Sequence, residues 1–325
     1  MKICVIGLGS MGKRRIRLLK LLFDDLTIIG IDSNADRVRS VACEYGIDCY
    51  LTLADVTGEL DCAFICTSPQ SHASIITECL ERNLHVFSEI NLIDDLYDKN
   101  MKLAKQKRKT LFISSTPLYK EEMRIIDSRI KRNGKPCAYQ YHIGQYLPDW
   151  HPWDNLEDFF VSDKKTNGCR EILAIELPWI WKTFGKIAAV HVAKTKLTGL
   201  KLDFPDIYLI QIEHSDGTIG SLTVDVVSRQ AVRRLEVFNE ELYIRWDGTP
   251  DTLYEKNIVS GEMIRIQAGE YIHEEGYGEF VNEHAYMKEI EDFFAVIKGK
   301  EPLYGFEKDK EILQIIDEIE GNASA

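Results

Sequence analysis

The stretch Ile3-Cys4-Val5-Ile6-Gly7-Leu8-Gly9-Ser10-Met11-Gly12 stands at the start of the chain, and Asp32 follows twenty residues after Gly12. A short apolar run that meets a glycine cluster is typical of a buried parallel strand that turns tightly into a helix. Gly9 lets a pyrophosphate approach the backbone, and Gly12 lets the helix pack against the strand. The phosphates are expected at the helix N-terminus, where unpaired N–H groups favour negative charge.

Asp32 ends a second apolar run, Leu26–Ile31. A carboxylate at this place accepts hydrogen bonds from a ribose diol and repels a 2′-phosphate, so the pattern predicts NAD(H) rather than NADP(H). The expected cofactor-binding residues of this half are Gly7, Gly9, Ser10, Met11, Gly12, Asp32 and Ser33. The alternative is a glycine turn in an unrelated α/β domain, with Asp32 capping the next turn.

Composition restricts the class of protein. A chain of 325 residues is long enough for two cores. The net charge of −12 argues against binding to nucleic acid or to an anionic membrane. We expect no membrane span, because no apolar run has the required length, and the N-terminus lacks the layout of a signal peptide. The eight cysteines show no metal-ligand spacing, so we expect reduced thiols, no metal site and a cytoplasmic protein.

Strand and helix patterns alternate over residues 1–117. Strands are predicted at 3–6, 26–31, 62–66, 84–87 and 110–114, separated by helices near 12–23, 34–45, 71–82 and 94–108. This alternation is typical of a doubly wound parallel sheet, and it predicts a Rossmann NAD-binding domain over residues 1–117.

The pattern changes after Pro117. A helix of mixed charge is predicted at 120–132, and alternating strands at 207–212, 219–227, 232–238 and 241–246, with helices at the end of the chain. We expect an α+β domain over residues 118–325 with a large, mostly antiparallel sheet that is open on one face. That open face suggests a homodimer or homotetramer that packs through it.

Two further segments carry a family resemblance. Ile65–His72 reads ICTSPQSH and Asn83–Glu89 reads NLHVFSE. With the glycine turn, they resemble the glucose–fructose oxidoreductase, inositol dehydrogenase and MocA (Gfo/Idh/MocA) family over nearly the whole chain. The resemblance implies that the cofactor neighbours include Thr67, Ser68, Pro69, His72 and Glu89, the last near the nicotinamide ribose. His72 could equally be an ordinary residue of a helix N-terminus.

The chain departs from this family at the residues that usually do the chemistry. The family follows its glutamate with a lysine, whereas Ile90 and Asn91 follow Glu89 here. Asn91 can hydrogen-bond a substrate hydroxyl but cannot act as an acid. The family's Asp and His positions fall on Ile172 and Glu176. The resemblance therefore implies a divergent member without the lysine and the Asp/His pair.

Glu176 is the first candidate for the missing catalytic group. It lies on an otherwise apolar helix and is the one titratable residue at a family catalytic position, so it could act as a base on a substrate hydroxyl. The alternative is a structural ion pair that anchors the helix. Arg170, earlier on this helix, could receive a phosphate or carboxylate of the substrate.

The segment Tyr141–Asp154, YHIGQYLPDWHPWD, is the second candidate. Aromatic faces and hydroxyl-binding side chains suit a carbohydrate pocket, and they predict substrate contacts from Gln145, Trp150 and Trp153. His151 could replace the absent family histidine as acid–base group. The alternative is an aromatic loop packed in an interdomain seam or a subunit interface.

These features favour an NAD(H)-dependent oxidoreductase that transfers a hydride to or from nicotinamide C4. Its expected substrate is a sugar, amino sugar or nucleotide sugar. The sequence of the aromatic segment also resembles the corresponding sequences of family members associated with surface-carbohydrate synthesis. The missing catalytic residues leave two alternatives open, namely a non-catalytic NAD(H)-binding regulatory protein and a non-redox lyase or epimerase that uses tightly held NAD.

Overall fold

The structure is a computed structural model that describes residues 1–150, 159–274, 278 and 280–321. The chain divides into two compact units. Unit 1 holds Met1–Ser115 and Tyr286–Glu311, and unit 2 holds Thr116–Ala285 and the chain from Ile312 onward. The domain boundary expected at residue 117 lies in a 3-10 turn, Thr116–Tyr119.

Unit 1 is built on a parallel sheet with the strand order β3-β2-β1-β4-β5-β6. Its elements, in chain order, are β1 (Lys2–Ile6), α1 (Ser10–Leu22), β2 (Thr27–Ile31), α2 (Ala35–Tyr45), β3 (Asp48–Tyr50), β4 (Cys62–Ile65), α3 (Pro69–Glu81), β5 (His85–Ser88), α4 (Tyr97–Lys107) and β6 (Leu111–Ile113). The doubly wound parallel sheet is confirmed. The short strand β3 was missed because its three residues are too few to show a period.

Local sequence signals set the helix ends of unit 1. The Asn34 side chain accepts hydrogen bonds from the N–H groups of Asp36 and Arg37, and so caps α2. Gly46 ends α2 in the left-handed conformation, with φ of 61°. Pro69 occupies the first turn of α3, where its missing N–H costs nothing.

A cluster of phenylalanines fills the core of unit 1. Phe64, Phe87 and Phe112 come from the three strands β4, β5 and β6. Phe293, from helix α7 (Glu283–Ile297), meets all three rings edge-on at 5.3 to 5.6 Å between centroids. The part of α7 in unit 1 is therefore packed on the sheet, and the polar residues beside Phe293 are carried into the interior.

Unit 2 is built on a mostly antiparallel sheet with the order β14-β13-β12-β11-β7-β10-β9-β8. Its elements are α5 (Glu121–Asn133), β7 (Ala138–Gly144), α6 (Gly168–Phe184), β8 (Ile187–Thr195), β9 (Ile207–His214), β10 (Ile219–Asp225), β11 (Val232–Phe238), β12 (Tyr243–Trp246), β13 (Leu253–Lys256) and β14 (Met263–Arg265). Within the described strands of this second sheet, β7 and β10 are the one parallel pair, and the other neighbours pair antiparallel. The last helix, α8 (Phe306–Glu320), ends the described chain. The predicted α+β architecture is confirmed.

The two faces of this sheet differ. On one face, Tyr139 stacks on Phe184 of α6 at 4.1 Å, and Tyr141 meets Trp179 of α6 at 5.4 Å. Side chains that alternate with these are exposed, as at Gln140 and Leu209. This alternation follows from the two-residue period of a strand, and it gives the open face that the sequence predicts.

The part of the chain that the structure describes was searched for membrane spans. No helix found there has both the length and the apolar character needed to cross a bilayer.

Candidate cofactor and catalytic sites

The glycine turn after β1 is packed tightly on one side and open on the other. Gly7 has a φ of +94°, and a Cβ there would lie 2.7 Å from the backbone of Cys66 and Thr67. A Cβ on Gly12 would lie 1.9 Å from the carbonyl oxygen of Gly7. A Cβ on Gly9 would meet no described atom within 4 Å. The open side above Gly9 fits a pyrophosphate close to the backbone.

The first turn of α1 gives this opening its electrostatic character. Gly9 is the N-cap, and Ser10, Met11 and Gly12 form a first turn without an acidic residue. The N–H groups of a helix N-terminus and its dipole attract anions. The residues present therefore fit the phosphates of a dinucleotide.

Asp32 connects the glycine turn to the end of β2. Its Oδ2 accepts a hydrogen bond from the Leu8 N–H at 2.7 Å, and its Oδ1 accepts one from the Asn34 N–H at 2.8 Å. Each carboxylate oxygen keeps a lone pair for a ribose hydroxyl. Arg37 Nη1 lies 3.7 Å from Oδ2, and Ser33 is exposed in the same loop.

The turn after β4 flanks the same crevice. The strand order reverses between β1 and β4, and ligands of doubly wound sheets bind at the carboxyl ends of the strands at this reversal. Thr67, Ser68 and Pro69 form that turn, and Ser71 Oγ donates to Thr67 Oγ1 at 2.7 Å. His72 is buried behind it, with Nε2 2.9 Å from the carbonyl oxygen of Thr67.

Glu89 is held by an arginine that sequence reasoning missed. Arg15 is fully buried, and its Nε lies 2.6 Å from Glu89 Oε1 while its Nη2 lies 2.7 Å from Glu289 Oε2. The Ser115 N–H donates to the other Glu289 oxygen at 2.7 Å. Burial raises the pKa of Glu289, and the charge of Arg15 opposes that shift. A signal was present, because helical spacing puts Arg15 on the inward face of α1 beside Gly12 and Ile16.

Asn91 lies in the interior of unit 1. It is buried, and its Oδ1 lies 2.7 Å from His72 Nδ1. The structure therefore brings Asn91 together with the cofactor turn. Its contact with a substrate hydroxyl stays a prediction.

In unit 2, Glu176 is buried and accepts hydrogen bonds from three donors. Arg233 Nη2 donates to Oε1 at 2.6 Å, while Tyr141 Oη and Trp179 Nε1 donate to Oε2 at 2.8 and 2.6 Å. The sequence left two interpretations of Glu176, a catalytic base and a structural ion pair. The ion pair is present, and its cation is Arg233 of β11. Its role as an acid–base group stays a prediction.

A buried lysine and carboxylate lie near this pair. Lys120 Nζ donates to the carbonyl oxygen of Phe280 at 3.2 Å and lies 5.7 Å from the Trp246 ring centroid. Burial lowers the pKa of Lys120 to about 8; the charge of Arg233 acts in the same direction, whereas Glu176 opposes it. The mixed-charge start of helix α5 resembles a solvated surface in sequence, so Lys120 was missed.

Glu122, two residues further along, is almost completely buried. Neither of its carboxylate oxygens has a hydrogen-bond partner among the described residues. Burial raises the pKa of Glu122, and the charges of Lys120 and Arg233 oppose this shift. We call Lys120, Glu122, Glu176 and Arg233 the buried charge cluster of unit 2.

Arg170 ties two helices of unit 2 together. Its Nη1 lies 2.5 Å from Glu320 and 2.9 Å from Asp317, both on α8. Its backbone N–H is capped by Asn167 Oδ1 at 2.8 Å. Two carboxylates therefore contact the guanidinium that was expected to receive an anionic group of the substrate, and this expectation stays a prediction.

The aromatic segment is only partly described. Tyr141–Gly144 belong to β7, and Trp150 Nε1 donates to the carbonyl oxygen of Gln145 at 3.1 Å. Trp150 and Gln145 are half-buried. His151 and Trp153 lie outside the described residues. No group of three or more His, Cys, Asp or Glu side chains that could hold a metal occurs in the described parts of the chain.

The fold and the glycine turn around Gly9 and Asp32 are those of a dinucleotide-binding Rossmann domain. Residues 1–114 match the family described as "Oxidoreductase family, NAD-binding Rossmann fold", GFO_IDH_MocA. Residues 1–114 are thus similar to the NAD-binding Rossmann domain of the Gfo/Idh/MocA family, as the resemblance implied, and NAD is the cofactor that such a domain binds.

The similarity to known proteins extends over nearly the whole chain. It is 21% identical to UDP-N-acetylglucosamine 3-dehydrogenase of Acidithiobacillus ferrooxidans over 94% of its own length and 91% of that protein. A crystal structure of that dehydrogenase shares the fold with a TM-score of 0.75 at 17% identity, over 99% and 97% of the two chains. Levoglucosan dehydrogenase in complex with NADH gives a TM-score of 0.81 at 15% identity, over 99% and 96%.

Proposed function

We propose that the protein is an NAD(H)-dependent dehydrogenase of a sugar, with an amino sugar or nucleotide sugar as the first candidate. The observation that supports this most is the buried charge cluster, which includes the position of a family catalytic residue, Glu176. The 21% identical relative named as a UDP-N-acetylglucosamine dehydrogenase supports the choice of substrate class. A part in surface-carbohydrate synthesis belongs to the same proposal.

NAD supplies the hydride acceptor or donor when it is bound. The protein must take a proton from the substrate hydroxyl during oxidation. Glu176 already accepts three hydrogen bonds. We therefore assign Glu176 the role of holding Arg233 in position. Lys120, with a pKa lowered to about 8, is partly unprotonated near neutral pH and is our first choice for the acid–base group. His151 stays a second candidate, with substrate contacts from Gln145, Trp150 and Trp153.

The cellular setting and the assembly are also proposals. All eight cysteines lie among the described residues and each is free, which supports a cytoplasmic protein. The exposed face of the unit 2 sheet carries Leu209 and Ile219, each about half exposed, and supports a homodimer or homotetramer through that face. Light scattering that shows a monomer at micromolar concentration would exclude this assembly.

The test of function is a substrate screen with a matched pair of variants. Purified protein is incubated with NAD⁺ and, in turn, UDP-N-acetylglucosamine, free amino sugars and neutral sugars, and the reduced-nicotinamide absorbance is followed. We expect turnover on an amino or nucleotide sugar, and a loss of about 10²-fold or more in kcat for Lys120→Met. Lys135→Met, at an exposed ion pair, is the control and keeps wild-type turnover.

Two outcomes contradict the proposal. Firm NADH binding with no turnover on any sugar favours the non-catalytic regulatory alternative. Conversion of the sugar without net change in NAD favours the lyase or epimerase alternative. Full activity of Lys120→Met would remove the acid–base assignment and leave the dehydrogenase in place.

A further inference from the structure

Glu89 lies at the edge of the sheet where the second half of a dinucleotide is expected. Asp32 follows β2 and the glycine turn follows β1, and they fit the adenosine ribose and the phosphates. The strand order continues from β1 to β4 and β5, so the nicotinamide nucleoside is expected over the carboxyl ends of these two strands. Glu89 directly follows β5 at this edge.

The two carboxylate oxygens of Glu89 have different surroundings. Oε1 accepts a hydrogen bond from Arg15 Nε at 2.6 Å, and Cys66 Sγ lies 4.0 Å from the same oxygen. Oε2 accepts no hydrogen bond from the residues that the structure describes. The side chain of Glu89 is 10% exposed, whereas those of Arg15 and Glu289 are fully buried. One oxygen, Oε2, is therefore available to a ligand at the sheet edge.

Arg15 holds Oε1 of Glu89 with a guanidinium group that is itself fixed. Its Nη2 donates to Glu289 Oε2 at 2.7 Å, so two nitrogens of one planar group bind two carboxylates. The ring centroids of Phe87 and Tyr286 lie 4.5 and 5.2 Å from the guanidinium carbon. A rotation of the planar group would break one of two buried hydrogen bonds between charged groups, and these are the strong ones.

Glu289 is in turn fixed to the end of β6. Its Oε1 accepts hydrogen bonds from the Ser115 N–H at 2.7 Å and from Ser114 Oγ at 3.0 Å. Because the Ser115 donor is a backbone group close to a strand end, the sheet sets its position. A continuous series of hydrogen bonds therefore leads from the backbone after β6 through Glu289 and Arg15 to Glu89. All of these residues belong to unit 1.

We propose that Glu289 is a positioning residue for the nicotinamide half of the cofactor. It acts through Arg15, which keeps Glu89 Oε2 turned to accept a hydrogen bond from a hydroxyl or amide group of that half. An acceptor whose orientation is set in advance binds more tightly, because less conformational freedom is lost on binding. The inference depends on the binding of NAD and is independent of the proposed substrate.

The chemistry around Glu289 explains why a carboxylate is needed there. Its partners Arg15, Ser114 and Ser115 all donate, and an ionised carboxylate only accepts. Glu289→Gln keeps the volume but turns an NH₂ group either towards Arg15 or towards the Ser115 N–H. The first orientation loses the contact with the guanidinium, and the second loses the connection to β6. In both, the series of hydrogen bonds is interrupted.

The test compares two ligands in the full chain without any sugar, NADH by nucleotide fluorescence and ADP by calorimetry. ADP carries the adenosine and two phosphates but lacks the nicotinamide nucleoside. Glu289→Gln should raise the dissociation constant of NADH about threefold to tenfold and leave that of ADP within about twofold. Glu89→Gln removes the acceptor itself and should weaken NADH binding at least as much. In this background, Glu289→Gln should have no further effect, because the two residues act as a unit.

Two further variants keep the proposal falsifiable if Glu289→Gln folds poorly. Arg15→Lys keeps the cation but lacks the planar fork, so it should also weaken NADH and not ADP. Tyr304→Phe removes a buried hydrogen bond to Asp309 at 2.9 Å in the same unit, and it is the control for lost stability. It should bind both ligands as the wild type does.

Three results would overturn the proposal. Equal weakening of NADH and ADP would give Glu289 a purely structural role. Unchanged NADH affinity in folded Glu289→Gln would show that Glu89 needs no such support, and additive effects in the double variant would show that the two residues act separately. Since no sugar is present, absence of sugar turnover would contradict the proposed dehydrogenase and leave this comparison intact.

Discussion

Arg15 and Glu89 form a buried ion pair, with Nε 2.6 Å from Oε1, at the point where β5 ends beside the cofactor crevice. The same guanidinium binds Glu289 at 2.7 Å. It also lies 4.5 Å from the centroid of the Phe87 ring. One arginine therefore fixes Glu89, predicted to bind the cofactor, to the helix that covers the sheet. Lysine has no planar fork to bridge two carboxylates in this way.

Replacing Arg15 should be among the most destabilising substitutions in unit 1. Arg15→Met leaves two buried carboxylates without their cation, and we expect a loss of about 3–5 kcal/mol in the free energy of unfolding. Lys13→Met, at an exposed pair with Glu44, is the matched control and should cost at most about 1 kcal/mol. Urea titration at pH 7 measures both. Equal costs for the two variants would show that the buried pair contributes no more than a surface one.

The same variant has a predictable pH dependence. Burial holds the pKa of Glu289 above its unfolded value, and without Arg15 it should rise further. A carboxyl with a raised folded-state pKa binds its proton more tightly when folded, so this group favours the fold increasingly as pH falls through that pKa. Arg15→Met should therefore lose less stability at about pH 5 than at pH 8. The comparison of the two urea midpoints checks this sign.

The cofactor half could be predicted from sequence because its signals are local. The glycine turn, the apolar strand and Asp32 are each short patterns with a fixed geometric requirement. At Gly12, for example, a Cβ would come within 1.9 Å of the Gly7 carbonyl oxygen. The ion pairs could not be predicted, since Arg15 and Glu289 are 274 residues apart and meet only after α7 packs on the sheet. Likewise, nothing in the sequence around Glu176 indicates that its cation comes from β11.

Strand β7 illustrates a different limit. Its last residues, Tyr141–Gly144, begin the aromatic segment Tyr141–Asp154, whose composition predicts a carbohydrate pocket. In the structure, Tyr141 faces α6 while the preceding Gln140 is exposed, so this first part of the segment is a strand between two environments, and the substrate contacts expected from the rest stay a prediction. Composition alone does not separate these two origins of an aromatic-rich segment.

Asp32 and Arg37 together predict a change of cofactor. Asp32→Ser removes the charge that repels a 2′-phosphate, and Arg37, 3.7 Å from the Asp32 carboxylate, can then pair with that phosphate. We expect the NADPH affinity to rise about tenfold or more relative to NADH. The double variant Asp32→Ser/Arg37→Gln should lose this gain. Both are measured by fluorescence titration, and unchanged preference in the single variant would contradict the role of Asp32.

Because of Lys120, the free energy of unfolding should change with pH in the alkaline range. Its folded-state pKa of about 8 lies below the unfolded value, so between these values the unfolded chain holds the extra proton and stability rises with pH. Lys120→Met lacks this dependence. Relative to wild type, the variant should therefore be most stabilised below about pH 8 and lose that advantage as the pH approaches 10. A constant difference between their urea midpoints would show that Lys120 has an ordinary pKa.

The buried charge cluster allows a final prediction on activity, which follows from the signs of two interactions. The charge of Glu176 raises the pKa of Lys120, and that of Arg233 lowers it. If unprotonated Lys120 takes the substrate proton, Glu176→Gln should shift the rising limb of kcat in sugar oxidation to lower pH. Arg233→Met should shift this limb to higher pH. The activities are compared at equal amounts of folded enzyme, which NADH binding measures. Loss of a merely structural pair would lower the amount of active enzyme in both variants and shift neither limb, so shifts of opposite sign are the signature that distinguishes the two roles.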